Sequence, residues 1–131
     1  MRLALGRAVR PPPPVQAALV ELFPGHAAAL AAVRVVEHSL LAWLHVRAIA
    51  TTRRRRIYLR GSAASFFENP ELMLHEYCHV MCQWETGRLS RRAYLREWLR
   101  NGYFENGFEV EARRFAQLHG ERFRMLLRPS S

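Results

Sequence analysis

Two charged residue types are absent from this 131-residue chain. All of its acidic residues are glutamate and all of its basic residues are arginine, so it has neither aspartate nor lysine. Without aspartate, a Ser-His-Asp triad or an aspartate-based phosphoryl-transfer site cannot be assembled. Any acid–base chemistry must therefore use glutamate, histidine, tyrosine or cysteine.

Cysteines are few, and long apolar runs are missing. The two cysteines, Cys78 and Cys82, lie four residues apart. A disulfide between them would be strained and would close almost no loop, so we expect reduced thiols. No apolar run is long enough to cross a membrane, and the apolar stretch at the N-terminus is too short for a signal peptide. The sequence therefore predicts a cytoplasmic protein with no membrane partner.

The arginine excess gives a formal net charge of +9. Such a charge favours acidic partners, either nucleic acid or anionic lipid. The arginines are spread along the chain, however, and only residues 53–56 form a run. A solvated basic surface is therefore favoured over a nucleic-acid site.

The first half of the chain begins with a proline-rich arm. Four consecutive prolines at 11–14 favour a stiff polyproline II segment, so residues 1–14 are predicted to lie outside the core. An amphipathic helix is predicted at 15–23. The following stretch is ambiguous, with helix, strand and buried-helix signals at 27–32, 33–36 and 40–46. Two strands joined at the arginine run are predicted at 48–52 and 56–60.

The second half of the chain carries clear helix signals. Asn69 is a good N-cap, Pro70 fits the first helical position, and Gly87 is a natural stop. Two further helices and a closing turn are predicted at residues 90–100, 106–119 and 121–127. With the small sheet, these helices predict a single α+β domain over residues 15–131.

The segment HEYCH lies inside the first of these helices. Residues four apart on a helix point to the same side, so His75 and His79 can reach one cation. Glu76 lies about 100° round from His75 and can accept a proton from water instead of binding the metal. Glu76 is the only charged residue between Leu72 and Gln83. A Zn²⁺ site with its own general base is therefore favoured over two histidines in a core.

A catalytic zinc needs a third protein ligand and one open position. Glu85 points away from the histidines. Cys82 lies on the same helix as the histidines, so its favoured role is that of a core thiol rather than a metal ligand. The downstream candidates are Glu97, Glu105, Glu109, Glu111 and His119. Glu109 stands three residues after the N-cap Asn106, where it could instead complete a capping box. From the residues alone, Glu109 and Glu111 are nearly equal candidates.

HEYCH, followed about thirty residues later by EVEARRFA, resembles the gluzincin metallopeptidases, whose third-ligand helix reads E-x-x-A-D or E-x-E-A-D. The likeness covers residues 48–117 and extends to short bacterial zincin-like domains, in which a tyrosine and an asparagine precede that helix as in GYFEN. It implies a minimal zincin-like fold and zinc-dependent hydrolysis of peptide bonds. Matched position by position, His75, His79 and Glu109 are the zinc ligands and Glu76 is the catalytic base.

One family position differs in this chain. The aspartate that supports a zinc ligand in the family falls at Arg113, which cannot accept a hydrogen bond. That support is therefore expected from elsewhere, such as Glu111 or a backbone carbonyl. The loss also leaves open a rival function, a zinc-binding scaffold without catalysis.

Two features bear on the substrate. Tyr103 is a candidate to stabilise an oxyanion, with an ordinary core or rim aromatic as the alternative. Zincins, by resemblance, hold an extended peptide by strand addition at the sheet edge that precedes the active-site helix. The implied partner is therefore a peptide or protein substrate.

Overall fold

The computed structural model describes residues 6–39, 42, 50–102 and 105–128. The described chain begins with β1 (Arg7–Val9), α1 (Pro13–Leu22), α2 (Ala27–Ala32), β2 (Arg34–Glu37), β3 (Ala50–Arg53) and β4 (Arg56–Leu59). It continues with α3 (Ala63–Phe67), α4 (Pro70–Cys78), a π-helical extension of α4 (His79–Trp84), α5 (Arg91–Asn101) and α6 (Gly107–Leu127). The small sheet followed by helices confirms the predicted α+β class.

The four described strands form one mixed sheet in the order β1-β2-β4-β3. The pairs β1–β2 and β3–β4 are antiparallel, whereas β2 and β4 are parallel, with Val35 opposite Ile57. Val35, Ile57 and Leu59 are buried, because alternate residues of a strand face the same side. That side meets α1, α3, α4 and α6 around one hydrophobic core.

The predicted proline-rich arm is partly built into the fold. Residues 7–9 form β1, whose partners in β2 include Val35 and Glu37; Arg7 and Ala8 are exposed, and Val9 packs against the core. Pro13 and Pro14 begin α1 and do not extend a polyproline segment. Proline is tolerated in the first helical turn because the N–H that it lacks would have no partner within the helix there. A three-residue strand is too short to produce a readable alternation, so the sequence did not reveal it.

The helix that carries HEYCH begins as its capping residues predict. The side chain of Asn69 accepts a hydrogen bond from the N–H of Leu72 at 3.1 Å, and Pro70 occupies the first turn. Met73, Leu74 and Tyr77 are fully buried in the core, and burial of a methionine or leucine side chain contributes about 1.5–3 kcal/mol. The same core includes Ala116 and Phe123 of α6, so α4 and α6 are held against each other.

The last turns of this helix widen into a π-helix, which the sequence did not predict. The N–H of Glu85 bonds to the carbonyl of Val80 at 3.0 Å, five residues back. The β3–β4 hairpin contacts this segment at two points. The indole N–H of Trp84 donates to Thr52 Oγ1 at 3.2 Å, and Arg55 pairs with Glu85. The turn between the two strands lies at the arginine run, as predicted. Its Arg55 holds the hairpin against the end of the HEYCH helix.

Helix α6 continues through a predicted stop. The helix expected to end at His119 and Gly120 is unbroken to Leu127. Gly120 lies on the buried face of α6 at helical spacing from Ala116 and Phe123. Packing of that face outweighs the roughly 1 kcal/mol that a helical glycine costs relative to alanine.

Some predicted segments lie largely outside the described residues. They include the buried helix at 40–46 and the first residues of the strand at 48–52. The short helix α3 was not predicted; Ser62 caps it by accepting from the N–H of Ser65. Across the described ranges, no helix combines the length and the apolar character needed to cross a bilayer.

Glu37 joins three elements of the fold. Its Oε2 accepts hydrogen bonds from Arg7 Nη2 at 2.6 Å and Nε at 2.9 Å, and its Oε1 accepts from the N–H of Ala63 at 2.8 Å. The bond from Ala63, opposed by burial and assisted by Arg7, holds the pKa of Glu37 below its usual range. The resulting stabilisation is complete above the pKa of an unfolded glutamate, about 4.3, and is lost as the pH falls through the lower folded pKa.

We expect Glu37→Gln to lower the free energy of unfolding by about 1–2 kcal/mol at pH 7, because a neutral amide replaces a charge-assisted acceptor. The difference from wild type should shrink as the pH falls below about 4, since the wild-type carboxylate is then protonated too. Urea unfolding at several pH values measures both effects. Glu121→Gln, at an exposed position of α6, is the matched control. If Glu37→Gln were as stable as wild type at pH 7, the stabilising role of the Glu37 carboxylate would be contradicted.

Candidate metal centre

Helices α4 and α6 bring together His75, His79 and Glu109. Oε1 of Glu109 lies 2.9 Å from Nε2 of His75 and 3.0 Å from Nε2 of His79. The three potential ligand atoms lie within 4.8 Å of one another. The two imidazoles therefore converge on one oxygen of one carboxylate, and the residues are those to which the spacing and the resemblance pointed.

Local structure explains why Glu109 faces the histidines. Asn106 caps α6 by accepting from the N–H of Phe108 at 2.9 Å. Ala112 and Ala116, three and seven residues after Glu109, are buried, so Glu109 lies on the same buried face of the helix. The Glu109 carboxylate bonds to the histidines and Tyr94, so it serves the cluster rather than the alternative capping box.

Tyr94 on α5 holds the second oxygen of this carboxylate. Its hydroxyl donates to Glu109 Oε2 at 2.8 Å, which leaves Oε1 to the two imidazoles. Helix α5 begins at the Ser90 cap, and Glu97 in its second half accepts a hydrogen bond from the N–H of Gly107 at 3.1 Å, which links α5 to the start of α6. The sequence did not indicate Tyr94, because no motif spacing links it to HEYCH or to Glu109.

Gln83 supports His79 from within the π-helix. Its Nε2 donates to the carbonyl of Phe108 at 2.9 Å and to Glu111 Oε1 at 2.6 Å. Because the amide nitrogen is used in this way, the atom 2.6 Å from His79 Nδ1 is the amide oxygen, which accepts from the ring N–H. When His79 is neutral, its Nε2 therefore carries the lone pair that a metal needs.

Glu111 lies behind Gln83 and away from the histidines. Its carboxylate is bound by Arg88 Nη1 at 3.1 and 3.2 Å, in addition to the Gln83 amide. Of the two glutamates that the residues left nearly equal, the structure places Glu109 in the cluster. Glu111 thus supports the histidine only indirectly, through Gln83, and Gln83 supplies the acceptor that Arg113 cannot.

Glu76 is buried next to the cluster, with 7% of its surface exposed. Within the described part of the chain its carboxylate accepts no hydrogen bond. Burial raises its pKa, and the charges of His79 and His75 only partly offset this rise. A buried carboxylate with a raised pKa is a stronger base than one in water, which suits it to accept a proton from a nearby water molecule.

The ionised carboxylate of Glu109 stabilises positive charge on the neighbouring His79. Burial alone would lower the pKa of His79, but hydrogen bonding to Glu109 and the charges of Glu109 and Glu76 outweigh it and raise the pKa to about 9. Burial raises the pKa of Glu109, yet the hydrogen bonds from His75 and His79 hold it far below its usual range. The carboxylate is thus ionised, and a metal must displace a proton from His79 to bind.

The donor set and its exposure fit a zinc ion. Two imidazole nitrogens and one carboxylate oxygen form a common ligand set of catalytic zinc, which keeps a fourth position open. The side chains of His79 and Glu109 are 5% and 6% exposed, whereas that of His75 is 19% exposed. The cluster is therefore closed on the core side and accessible to solvent at His75.

The remaining candidates from the sequence lie in other environments. Glu85 pairs with Arg55, the ring of His119 lies 4.5 Å from that of Phe115, and Cys82 packs against the core. Glu105 is exposed. Tyr103 lies outside the described residues, so its predicted role stays a prediction.

Comparison of this chain with protein-family models, with curated proteins and with solved structures finds no match. The likeness to gluzincins therefore stays a resemblance carried by HEYCH and the segment around Glu109. Functional conclusions for this chain depend on the geometry of its own residues.

We expect Gln83→Met to weaken zinc binding about 10–100-fold, because His79 loses the acceptor that fixes its tautomer. Glu111→Ala should weaken zinc binding less, because it removes only one of the two hydrogen bonds that Gln83 Nε2 donates. Competition with a chromophoric chelator measures the affinity, and Cys82→Ser, one residue away on the same helix, should match wild type. Unchanged affinity in folded Gln83→Met and Glu111→Ala would contradict a supporting role for Gln83.

Proposed function

We propose that this protein hydrolyses peptide bonds with a zinc ion held by His75, His79 and Glu109. The observation that carries the proposal is the convergence of both Nε2 atoms on Glu109 Oε1, at 2.9 and 3.0 Å, beside the buried carboxylate of Glu76. Three protein ligands with an accessible side match the pattern of catalytic zinc sites rather than that of closed structural ones.

The ligand atoms are oriented by side chains that do not bind the ion. Gln83 accepts from Nδ1 of His79, and Tyr94 donates to Oε2 of Glu109. These bonds reduce the freedom of two ligands before binding, which favours a defined coordination geometry. When bound, zinc supplies a Lewis acid that acidifies water and polarises a carbonyl.

Glu76 is the proposed general base. Its carboxylate makes no hydrogen bond among the described residues and is adjacent in sequence to His75, so it is available to a water molecule in the site. It takes a proton from the attacking water and returns it to the amine that leaves as the peptide bond breaks. Positioned groups of this kind contribute about 10²–10⁴-fold to rate.

The sheet edge supports an extended peptide as the substrate. Among the described strands β3 lies at an edge, and it contacts the π-helix through Thr52 and Trp84. An unpaired strand edge can add a peptide as a further strand through main-chain hydrogen bonds. The hairpin thus offers a surface on which a peptide could lie close to the HEYCH helix.

We also propose a cytoplasmic location, because Cys78 and Cys82 are free thiols, the state that a reducing compartment maintains. The rival function, a zinc-binding scaffold without catalysis, rested on the loss of a supporting aspartate at Arg113, on the short length of the chain and on the absence of a clear second lobe. Gln83 accepts a hydrogen bond from His79, which weakens the first of these three grounds.

Metal content is the first part of the test. Wild type is expected to hold one zinc per chain, whereas His75→Ala and Glu109→Ala should lose most of it because each removes one of three ligands. Glu121→Ala, at an exposed position of α6, is the control and should retain zinc. Elemental analysis of the purified proteins measures this, and equal zinc in all four proteins would refute the site.

Hydrolysis of a peptide library, followed by mass spectrometry, is the second part. We expect cleavage by the zinc-loaded wild type, loss of cleavage with a chelator, and recovery when zinc is added back. Glu76→Gln should keep its zinc but cleave about 10²–10⁴-fold more slowly. A zinc-loaded wild type that is as inactive as Glu76→Gln would instead support the scaffold.

A further inference from the structure

The outward face of α5 is apolar and uncovered. None of the eleven residues of this helix is buried, and three large apolar side chains are exposed: Leu95 by 53%, Trp98 by 47% and Leu99 by 71%. Their spacing of three and four residues places them on one side of the helix. We call these three side chains the apolar ridge.

Arginines flank the apolar ridge. Arg92, Arg96 and Arg100 follow one another at four-residue intervals, so they form a row along the helix beside the ridge. The one acidic residue of α5 is Glu97, whose carboxylate already accepts hydrogen bonds from Asn101 and from the N–H of Gly107. The exposed face therefore combines apolar side chains with positive charge.

A cavity of about 320 Å³ lies where α5 meets the beginning of α6. Its lining residues include Arg88, Arg96 and Arg100, together with Glu97. Arg88 is paired with Glu111, whereas Arg96 and Arg100 make no ion pair or hydrogen bond through their side chains within the described ranges. Guanidinium groups are well suited to binding phosphate oxygens in pairs.

The size of the face argues against a protein partner. Eleven residues at about 1.5 Å each give a helix about 16 Å long and about 10 Å wide. This is far less than the roughly 800 Å² that each partner buries in a stable protein interface. A second copy of this chain would also set arginine rows against each other, which like-charge repulsion opposes.

We propose that this face of α5 docks on an anionic membrane surface. The apolar ridge enters the boundary between headgroups and acyl chains, and the arginine row binds lipid phosphates. A short helix with low overall hydrophobicity, tryptophan and leucine on one side and arginine beside them is typical of helices that lie in the interface plane.

The proposal departs from the expectation of no membrane partner, which followed from the lack of a spanning segment. An interfacial helix needs no such segment. Anionic lipids are concentrated in the cytoplasmic leaflet, which fits the proposed location. The proposal does not depend on the zinc site, because the outward residues of α5 are distinct from Tyr94.

Flotation of the full-length protein with lipid vesicles tests the proposal. Vesicles of neutral phosphatidylcholine are compared with vesicles that contain about one third anionic phosphatidylglycerol, at about 0.15 M salt. We expect wild type to bind the anionic vesicles at least about tenfold more strongly than the neutral ones. Leu99→Glu should reduce this binding about tenfold, because a charge replaces an inserted apolar side chain.

Two further variants separate insertion from general charge attraction. The triple change Arg92→Gln, Arg96→Gln and Arg100→Gln should reduce binding on the order of 100-fold. Leu118→Glu, at a leucine of α6 that is 77% exposed, has the same charge change as Leu99→Glu and should bind nearly like wild type. Circular dichroism confirms folding, and the milder Leu95→Ser with Leu99→Ser replaces Leu99→Glu if that variant unfolds.

Three results would overturn the proposal. The first is no preference of wild type for anionic vesicles. The second is equal loss of binding in Leu99→Glu and Leu118→Glu, which would mean that net charge alone attracts the protein. The third is wild-type binding by the folded double serine variant, which would mean that the apolar ridge does not enter the lipid.

Discussion

The structure of the site depends on a buried carboxylate oxygen shared by two imidazoles. Glu109 is 4% exposed, and a buried, ionised carboxylate without partners would cost several kcal/mol. His75 and His79 satisfy Oε1, and Tyr94 satisfies Oε2. These contacts require α4 and α6 to be packed face to face, so the polar cluster depends on the apolar core between the two helices. A cation at the same place would satisfy the same charge.

A chain of hydrogen bonds links an ion pair at the surface to the imidazole of His79. Arg88 binds Glu111, Glu111 binds the amide nitrogen of Gln83, and the amide oxygen of Gln83 binds His79. Each bond removes one rotational alternative from the next group, so the tautomer of the histidine is fixed by a charge pair at the surface. The support comes from the same helix as the histidine, through its π-helical turn.

Much of the fold, and the two histidines of the site, could be predicted from sequence because they depend on local periodicity. Capping at Asn69 and the four-residue spacing of His75 and His79 determine a helix and a shared face. Periodicity alone could not decide between Glu109 and Glu111, which only the resemblance separated, because the choice depends on how α6 rotates when its alanine face packs against α4. Gln83 was missed for a similar reason: local sequence gives no signal for the π-helix that places its amide at His79.

X-ray absorption at the zinc edge of the metal-loaded protein tests the central claim most directly. Two histidines and Glu109 predict two imidazole nitrogens at about 2.0–2.1 Å and carboxylate or water oxygens at about 2.0–2.2 Å, in four-coordinate geometry and without sulfur. A sulfur shell at about 2.3 Å would mean that Cys78 or Cys82 binds the ion. That result, or a shell without imidazole, would contradict the centre described above.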